Sequence, residues 1–362
     1  MQCAREKTDI LNLFRNKSVV CICAPMVRYS KLEFRSLVRK YGVDLCFTPM
    51  IMADSFNQSI KARDNEFTTN KEDTPLIVQF AAKTVDDFVT ATELISEHCE
   101  GVDLNCGCPQ RWAMQEGYGA AMLNKSEVIR DMIRQVRNRT KPSFTVSVKV
   151  RLFDCLSKSV ELCRSLQAAG ASFITVHGRT VSQRAEPVNV AAIREIAASL
   201  SIPVIANGGV KCANDVQTFV KSTNARGVMV AQGLLSNPAL FSGAPCTPLT
   251  CVQDWVEIAV SSGVQFQCLH HHLVFMLEKV LPKELRRSFN KLSTKETVLD
   301  FLEKHLGINV HKQNKHTSFN KTVVMYDDTH QGKFFRSKVI LDEKESCENE
   351  SEMYLEDSIF SF

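Results

Sequence analysis

Apolar positions along this chain follow two alternating rhythms. Short runs rich in Val and Ile, apolar on both faces, recur at residues 19–24, 44–48, 76–80, 102–105, 145–150, 173–177, 203–206 and 227–230. Parallel strands covered by helices on both sides read in this way. Between them the apolar spacing changes to three and four. Residues 32–40 place Leu32, Leu37 and Val38 on one side, and residues 86–98 do the same with Phe88, Val89, Ala91, Leu94 and Ile95. Residues 126–139 follow with Val128, Ile129, Met132, Ile133 and Val136, and Asn124 or Ser126 is the expected N-cap. A helix over 157–169 runs into Gly170, the residue type that closes helices in left-handed conformation, and 190–200 and 213–222 complete the set. Eight strands alternating with helices predict an α/β fold, the (β/α)₈ or TIM barrel, over residues 17–243. A doubly wound open sheet is the runner-up, disfavoured because no Gly-x-Gly-x-x-Gly follows the first strand.

The rhythm breaks in three places. Residues 49–74, polar and carrying Lys61, Arg63 and Thr68-Thr69-Asn70, are expected as one long functional loop after the second strand. Gly243, Pro245 and Pro248 mark a linker, after which strands stop and 252–260, 269–280 and 294–307 read as helices. A small all-helical domain over 244–309 is therefore expected. Over 279–304 its bases (Lys279, Lys283, Arg286, Arg287, Lys291, Lys295 and Lys304) outnumber its acids, which suits either a solvated face or an RNA-binding one. Beyond it, 310–362 reads as a polar tail of low order, acidic from 342 to 357.

Composition narrows the class only a little. The chain has 362 residues, 44% hydrophobic and 23% charged, and a net charge of +4, which permits a nucleic-acid partner without demanding one. No apolar run reaches the roughly 18–20 residues of a membrane helix, and the N-terminus has no apolar signal core, so no membrane association is expected. Fourteen cysteines are scattered through strand and helix patterns, which points to reduced thiols in a cytoplasmic or nuclear compartment.

Chemistry is expected where barrel strands end. The first strand delivers Ala24-Pro25-Met26-Val27, the third Gln79, the fourth Asn105 and Cys108, the fifth Lys149 then Arg151, and the sixth His177-Gly178-Arg179. Asn207-Gly208-Gly209 follows the seventh and Ala231-Gln232-Gly233 the eighth. Glycine turns after strands seven and eight suit a phosphate, because backbone N–H groups close on an anion without Cβ interference. Each turn alone is also an ordinary tight corner. Lys149 alternates with Val146, Val148 and Val150 and needs an electron-rich partner to offset its desolvation. Gln79 offers a donor and an acceptor to the edge of a heterocycle. Flavin mononucleotide (FMN) satisfies the whole set.

Cys108 lies in Asn105-Cys106-Gly107-Cys108-Pro109, where Pro109 keeps it on extended or turn backbone. Packing is the commoner fate of a cysteine, and Cys106 reads that way, whereas the strand-end setting favours chemistry for Cys108. A zinc site from His98, Cys99, Cys106 and Cys108 is disfavoured, since no Cys-x-x-Cys exists and the first two lie at the other end of the strand. Consecutive helical residues diverge by about 100°, which disfavours His270-His271-His272 as well, so no metal is expected.

Five segments together resemble the tRNA-dihydrouridine synthases: Ala24-Pro25-Met26-Val27-Arg28, Asn105-Cys106-Gly107-Cys108-Pro109, Ser147-Val148-Lys149-Val150-Arg151, Val176-His177-Gly178-Arg179-Thr180 and Val204-Ile205-Ala206-Asn207-Gly208. The run from Asn105 to Gly119 is most similar to the eukaryotic branch acting at positions 20a and 20b, and the resemblance covers roughly residues 17–309. It implies an FMN-dependent reductase of tRNA uridines, recharged by NADPH or NADH, with hydride passing to uracil C6. It implies Cys108 as the acid that protonates C5, Asn105 and Arg179 at the substrate, and Pro25, Met26, Val27, Gln79, Lys149, His177, Asn207, Gly208, Gly209, Ala231 and Gln232 at the flavin. Two positions depart from the family pattern: Gly209 stands where Asp is usual and Gln232 where Arg is usual, implying a weaker grip on the flavin phosphate. Two other readings stay open, an FMN oxidoreductase of free pyrimidines and a flavin-deficient tRNA-binding paralogue.

Overall fold

A computed structural model of the chain describes residues 8–309. The expectation of an acidic tail over 310–362 lies outside the described residues. The strands are β1 (Val20–Cys23), β2 (Leu45–Phe47), β3 (Ile51–Met52), β4 (Leu76–Ala81), β5 (Gly101–Cys106), β6 (Thr145–Leu152), β7 (Phe173–Thr180), β8 (Val204–Asn207) and β9 (Gly227–Val230). All pairings are parallel, in the order β2-β1-β9-β8-β7-β6-β5-β4-β3, and β2 pairs with β4 to close the ring. Helices stand between the strands, so the fold is the expected (β/α)₈ barrel, and all eight strands read from the sequence are present.

The strand beyond the expected eight, β3, is a continuation of the second stave. Phe47 pairs with Ile77 and Ile51 with Phe80, so four steps on one side face three on the other. The extra residue falls at Thr48-Pro49-Met50, where Pro49 cannot donate to the ladder. The Thr48 hydroxyl compensates by accepting from the Gln79 N–H at 3.0 Å, which ties the break to a residue of the barrel mouth.

The segment 49–74 is not one loop. Beyond β3 it forms helices Ala53–Gln58 and Ile60–Glu66, the second capped by Ser59, which accepts from the Ala62 N–H. Helices of one to two turns are too short to show a periodicity. Helix Ile10–Asn16 was also not expected. Asp9 caps it, and Ile10 and Phe14, one turn apart, bury their side chains under the barrel. There the rings of Phe14 and Phe173 lie 5.5 Å apart, with Phe47 6.5 Å from Phe173, closing the N-terminal end as packed core.

Helices Leu32–Lys40 and Ser126–Arg139 fall where the apolar spacing placed them. The cap of the second differs: Lys125 is the N-cap with no side-chain bond, because Asn124 closes the 3₁₀ turn Gly119–Asn124 and Ser126 is already helical. After the linker come Leu249–Ser262, Phe266–Met276, Lys283–Phe289 and Lys295–Leu306, four helices where three were expected. The helix read as 269–280 already ends at Met276, with Leu277 as its cap, and Pro282 is the N-cap of a short helix of its own. These helices dock on Leu32–Lys40. His272 stacks 4.6 Å from Phe34 and lies tilted 4.4 Å from Trp255, and Asp254 accepts from Lys40 and Tyr41, both at 2.8 Å. No helix among the described residues is long and apolar enough to cross a membrane.

Candidate active site

Residues paired across parallel strands share a face, so register identifies what points into the barrel together. Gln79 pairs with Asp103 and Asp103 with Ser147; one step higher, Asn105 pairs with Lys149, while Arg151 pairs with His177 and His177 with Asn207. The residues expected at the strand ends therefore converge on one mouth. Beneath them runs a chain of hydrogen bonds. Ser147 Oγ donates to Asp103 Oδ1 at 2.6 Å, Gln79 Nε2 to Asp103 Oδ2 at 2.8 Å, and Asn105 Nδ2 to Gln79 Oε1 at 2.8 Å. Asn105 Oδ1 then accepts from the N–H groups of Gly107 and Cys108, at 3.1 and 3.0 Å.

The backbone around Cys108 is held on every side. Its carbonyl accepts from the Ala120 N–H at 2.9 Å, and the Gly107 carbonyl accepts from Arg151 Nε at 3.0 Å. Gly119, at φ +60°, lies against it; a Cβ there would meet the Cys108 carbonyl at 2.7 Å. Tyr118, next to that glycine, donates to Asp54 at 2.6 Å, so the helix Ala53–Gln58 braces the same loop. The Cys108 thiol is half-buried and lies 3.7 Å from Gln110 Oε1, which also accepts from Trp112 Nε1 at 3.1 Å. Trp112 itself is 41% exposed, an aromatic face fixed two residues from the thiol's acceptor. Cys106 is wholly buried in the core beneath.

Charge at the mouth is one-sided. Burial, and then Arg151, lower Lys149 to about 8, while burial, Arg184 and Arg179 lower Arg151 to about 10. Burial together with Lys149, Arg151 and Arg179 drives His177 down to about 2, so its ring is neutral at pH 7. Arg179 approaches His177 Nε2 at 3.2 Å; since a guanidinium only donates, the ring proton sits on Nδ1. Among the described residues no carboxylate lies within ion-pair distance of Lys149, Arg151, Arg179 or Arg184. Four crowded cations with no carboxylate in direct contact suit an anionic ligand, although Asp103 acts on Lys149 and Glu186 on Arg179 from further off. Burial raises the Cys108 thiol above its usual value, against the opposing pull of Lys149, Arg151 and Arg184.

The glycine turns fit a phosphate. Gly208 and Gly209 both adopt left-handed conformation, at φ +109° and +77°, and a Cβ on Gly208 would lie 2.8 Å from the His177 ring. After the neighbouring strand, in the helix Gln232–Ser236, Gly233 packs against the Val210 carbonyl, where a Cβ would come within 2.6 Å. Asn207 donates to the Met229 carbonyl at 2.9 Å, locking β8 to β9, and Gln232 is exposed beside Ala231, the N-cap of helix Gln232–Ser236. From the first strand end, Met26 is buried, Pro25 partly so, and Val27 is 37% exposed at the rim. Asp103, Gly119, Tyr118 and Asp54 were not singled out in the sequence. Asp103 had a signal, standing two residues before Asn105 and hence on the same face of an otherwise apolar strand. Among the described residues no group of three or more His, Cys, Asp or Glu is arranged to hold a metal ion.

A barrel of this topology, with a thiol and a cluster of cations at the C-terminal ends of its strands, is of the kind that carries enzymes. The family model for dihydrouridine synthases matches residues 22–322. The chain belongs to that family. It is 51% identical to a tRNA-dihydrouridine(20a/20b) synthase (NAD(P)+)-like protein of Mus musculus over 84% of this chain and 94% of that one. It is 41% identical to tRNA-dihydrouridine(20a/20b) synthase of Schizosaccharomyces pombe over 84% of this chain and 93% of the yeast one.

Proposed function

We propose that this protein reduces the C5=C6 bond of D-loop uridines at positions 20a and 20b of tRNA to dihydrouridine, with Cys108 as proton donor. The reading rests on family membership and relatives of that name. One geometric observation carries it: a protonated thiol on a backbone pinned from both sides, at a mouth lined by cations that no carboxylate contacts directly. FMN, recharged by NADPH or NADH, is the group that would supply hydride to uracil C6. Lys149, His177, Asn207 and the turns at Gly208-Gly209 and Ala231-Gln232 would hold it, with Pro25, Met26 and Val27 behind. Gln79, after its bonds to Asp103 and Asn105, keeps one Nε2 hydrogen and one Oε1 lone pair for the rim of a ring.

The thiol must stay protonated until hydride arrives, then give up its proton to C5. Burial does the first, and Lys149, Arg151 and Arg184 favour the thiolate once it forms. Solvent reprotonates it afterwards. Asn105 has one Nδ2 hydrogen left after bonding Gln79, which suits an oxygen of the base. Arg179 and Arg184 suit its phosphates. Trp112 offers a stacking face for a neighbouring base, which contributes about 1–3 kcal/mol where measured elsewhere. Extruding a uridine costs a few kcal/mol. The helices of residues 244–309, a separate domain in function, would recover that through tRNA contacts at exposed Lys279, Lys283, Arg287, Lys291 and Lys304.

The test is direct. Unmodified tRNA incubated with the protein, FMN and NADPH should gain dihydrouridine at 20a and 20b. Modification elsewhere would displace the positional reading. Turnover of free uracil without RNA would favour a free-pyrimidine oxidoreductase, and tRNA binding by a protein that takes up no FMN would favour the flavin-deficient reading.

A further inference from the structure

The chain of bonds beneath the mouth has a polarity, and one residue sets it. A carboxamide fits a site in two orientations of nearly equal shape, with oxygen and nitrogen exchanged. Gln79 and Asn105 lie in series, so the orientation of the first dictates that of the second. If Gln79 turned over, its Nε2 would face Asn105 Nδ2, and Asn105 would have to turn as well. Its Nδ2 would then face the N–H groups of Gly107 and Cys108, donor against donor, and the loop would lose both of its bonds to the strand. Nothing in the two amides themselves forbids this.

Asp103 forbids it. It is completely buried on the middle of β5, and an ionised carboxylate only accepts. One oxygen takes the Ser147 hydroxyl and the other can face only the nitrogen end of Gln79. We propose that Asp103 is a positioning residue for the proton-donor loop: it fixes the orientation of the Gln79 amide, and through it the orientation of Asn105 that holds Cys108. This rests on the reading of Cys108 as proton donor. Burial raises Asp103 to about 6, against the bonds from Ser147 and Gln79 and the charge of Lys149, so the carboxylate is ionised at pH 7.5 and above.

The test compares Asp103→Leu, which removes the acceptor, with Asp103→Asn, which keeps one but can be read both ways. Gln79→Met breaks the relay one step later. The readout is alkylation of Cys108 in the full-length protein, followed by peptide mass spectrometry at pH 8, with the thermal midpoint recorded in parallel. Asp103→Leu and Gln79→Met should each raise Cys108 alkylation about tenfold, and the double variant no further, because both break one chain. Asp103→Asn should fall between these and wild type. A purely structural role would lower the thermal midpoint of Asp103→Leu and leave Cys108 protected. Alkylation within twofold of wild type in Asp103→Leu overturns the proposal, and the same result in Gln79→Met does so even if Asp103→Leu does not fold. Dihydrouridine assays on the same proteins keep the two claims apart. Absent product from wild type counts against the proposed reaction, while the loop measurement stands on its own.

Discussion

Two carboxylates are enclosed at opposite ends of this barrel, and they are solved differently. Asp73, before β4 at the N-terminal end, receives Arg35 at 2.6 Å and Arg39 at 3.1 Å. Burial alone would raise it, but the two guanidiniums and their hydrogen bonds hold it below the usual carboxylate range. Asp103, under the mouth, has only neutral donors in contact and is pushed up to about 6. The first is a clamp: Arg35 also donates to the carbonyls of Ser30 and Thr68, drawing together a helix, the 49–74 segment and the barrel floor. The second keeps an energetic penalty where the chemistry is expected. Conservative burial serves the fold at one end, and destabilising burial serves function at the other.

Replacing each carboxylate in turn should sharpen the contrast. Asp73→Ala leaves two buried guanidiniums uncompensated and should destabilise by about 3–5 kcal/mol, read from denaturant midpoints at pH 7.5. Activity per folded molecule should be unchanged; a lasting loss of activity in the refolded variant would show that the clamp also shapes the mouth.

Asp103→Asn should act in the opposite direction. The folded state binds the Asp103 proton more tightly than the unfolded chain does, so its contribution to stability falls as pH rises from about 4 to about 6 and stays low above that. A shift from 3.8 to about 6 corresponds to at most about 3 kcal/mol. The variant should therefore gain about 1–3 kcal/mol over wild type at pH 7.5, and the gain should vanish near pH 4. Taking the difference between variant and wild type cancels His177, which loses stability as pH falls below its unfolded value of 6.5. A variant less stable than wild type at pH 7.5 would mean that Asp103 is held as firmly as Asp73.

Gly119→Ala probes the loop from its other side. A methyl at φ +60°, 2.7 Å from the Cys108 carbonyl, should cost about 1–3 kcal/mol and shift the thiol. Its thermal midpoint should drop by less than that of Asp73→Ala, and its dihydrouridine yield by more.

The same contrast explains what the sequence disclosed. Eight strands were legible because each is apolar on both faces, and the mouth residues followed from counting strand ends. Lys149, His177 and Asn207 needed only that rule. Asp103 was passed over because a single polar residue in Val102-Asp103-Leu104 does not disturb an apolar run. Its partners come from β4 and β6, and only the register brings them together. Helices Ile10–Asn16, Ala53–Gln58 and Ile60–Glu66 were missed for want of length, although they plug the floor and brace the Cys108 loop through Asp54. Gly209 shows the limit from the other side. Departure from a family pattern marked it as a weakness, whereas its φ of +77° shows a backbone that suits glycine. The exposed Gln232 has no charge to offer a phosphate.

Cys108→Ala tests the central claim most directly. The side chain is small and half-buried, so the thermal midpoint and tRNA binding should change little. Dihydrouridine formed at 20a and 20b should fall by about 10²- to 10⁴-fold, the usual effect of losing a positioned acid. Equal product from wild type and Cys108→Ala would contradict the account.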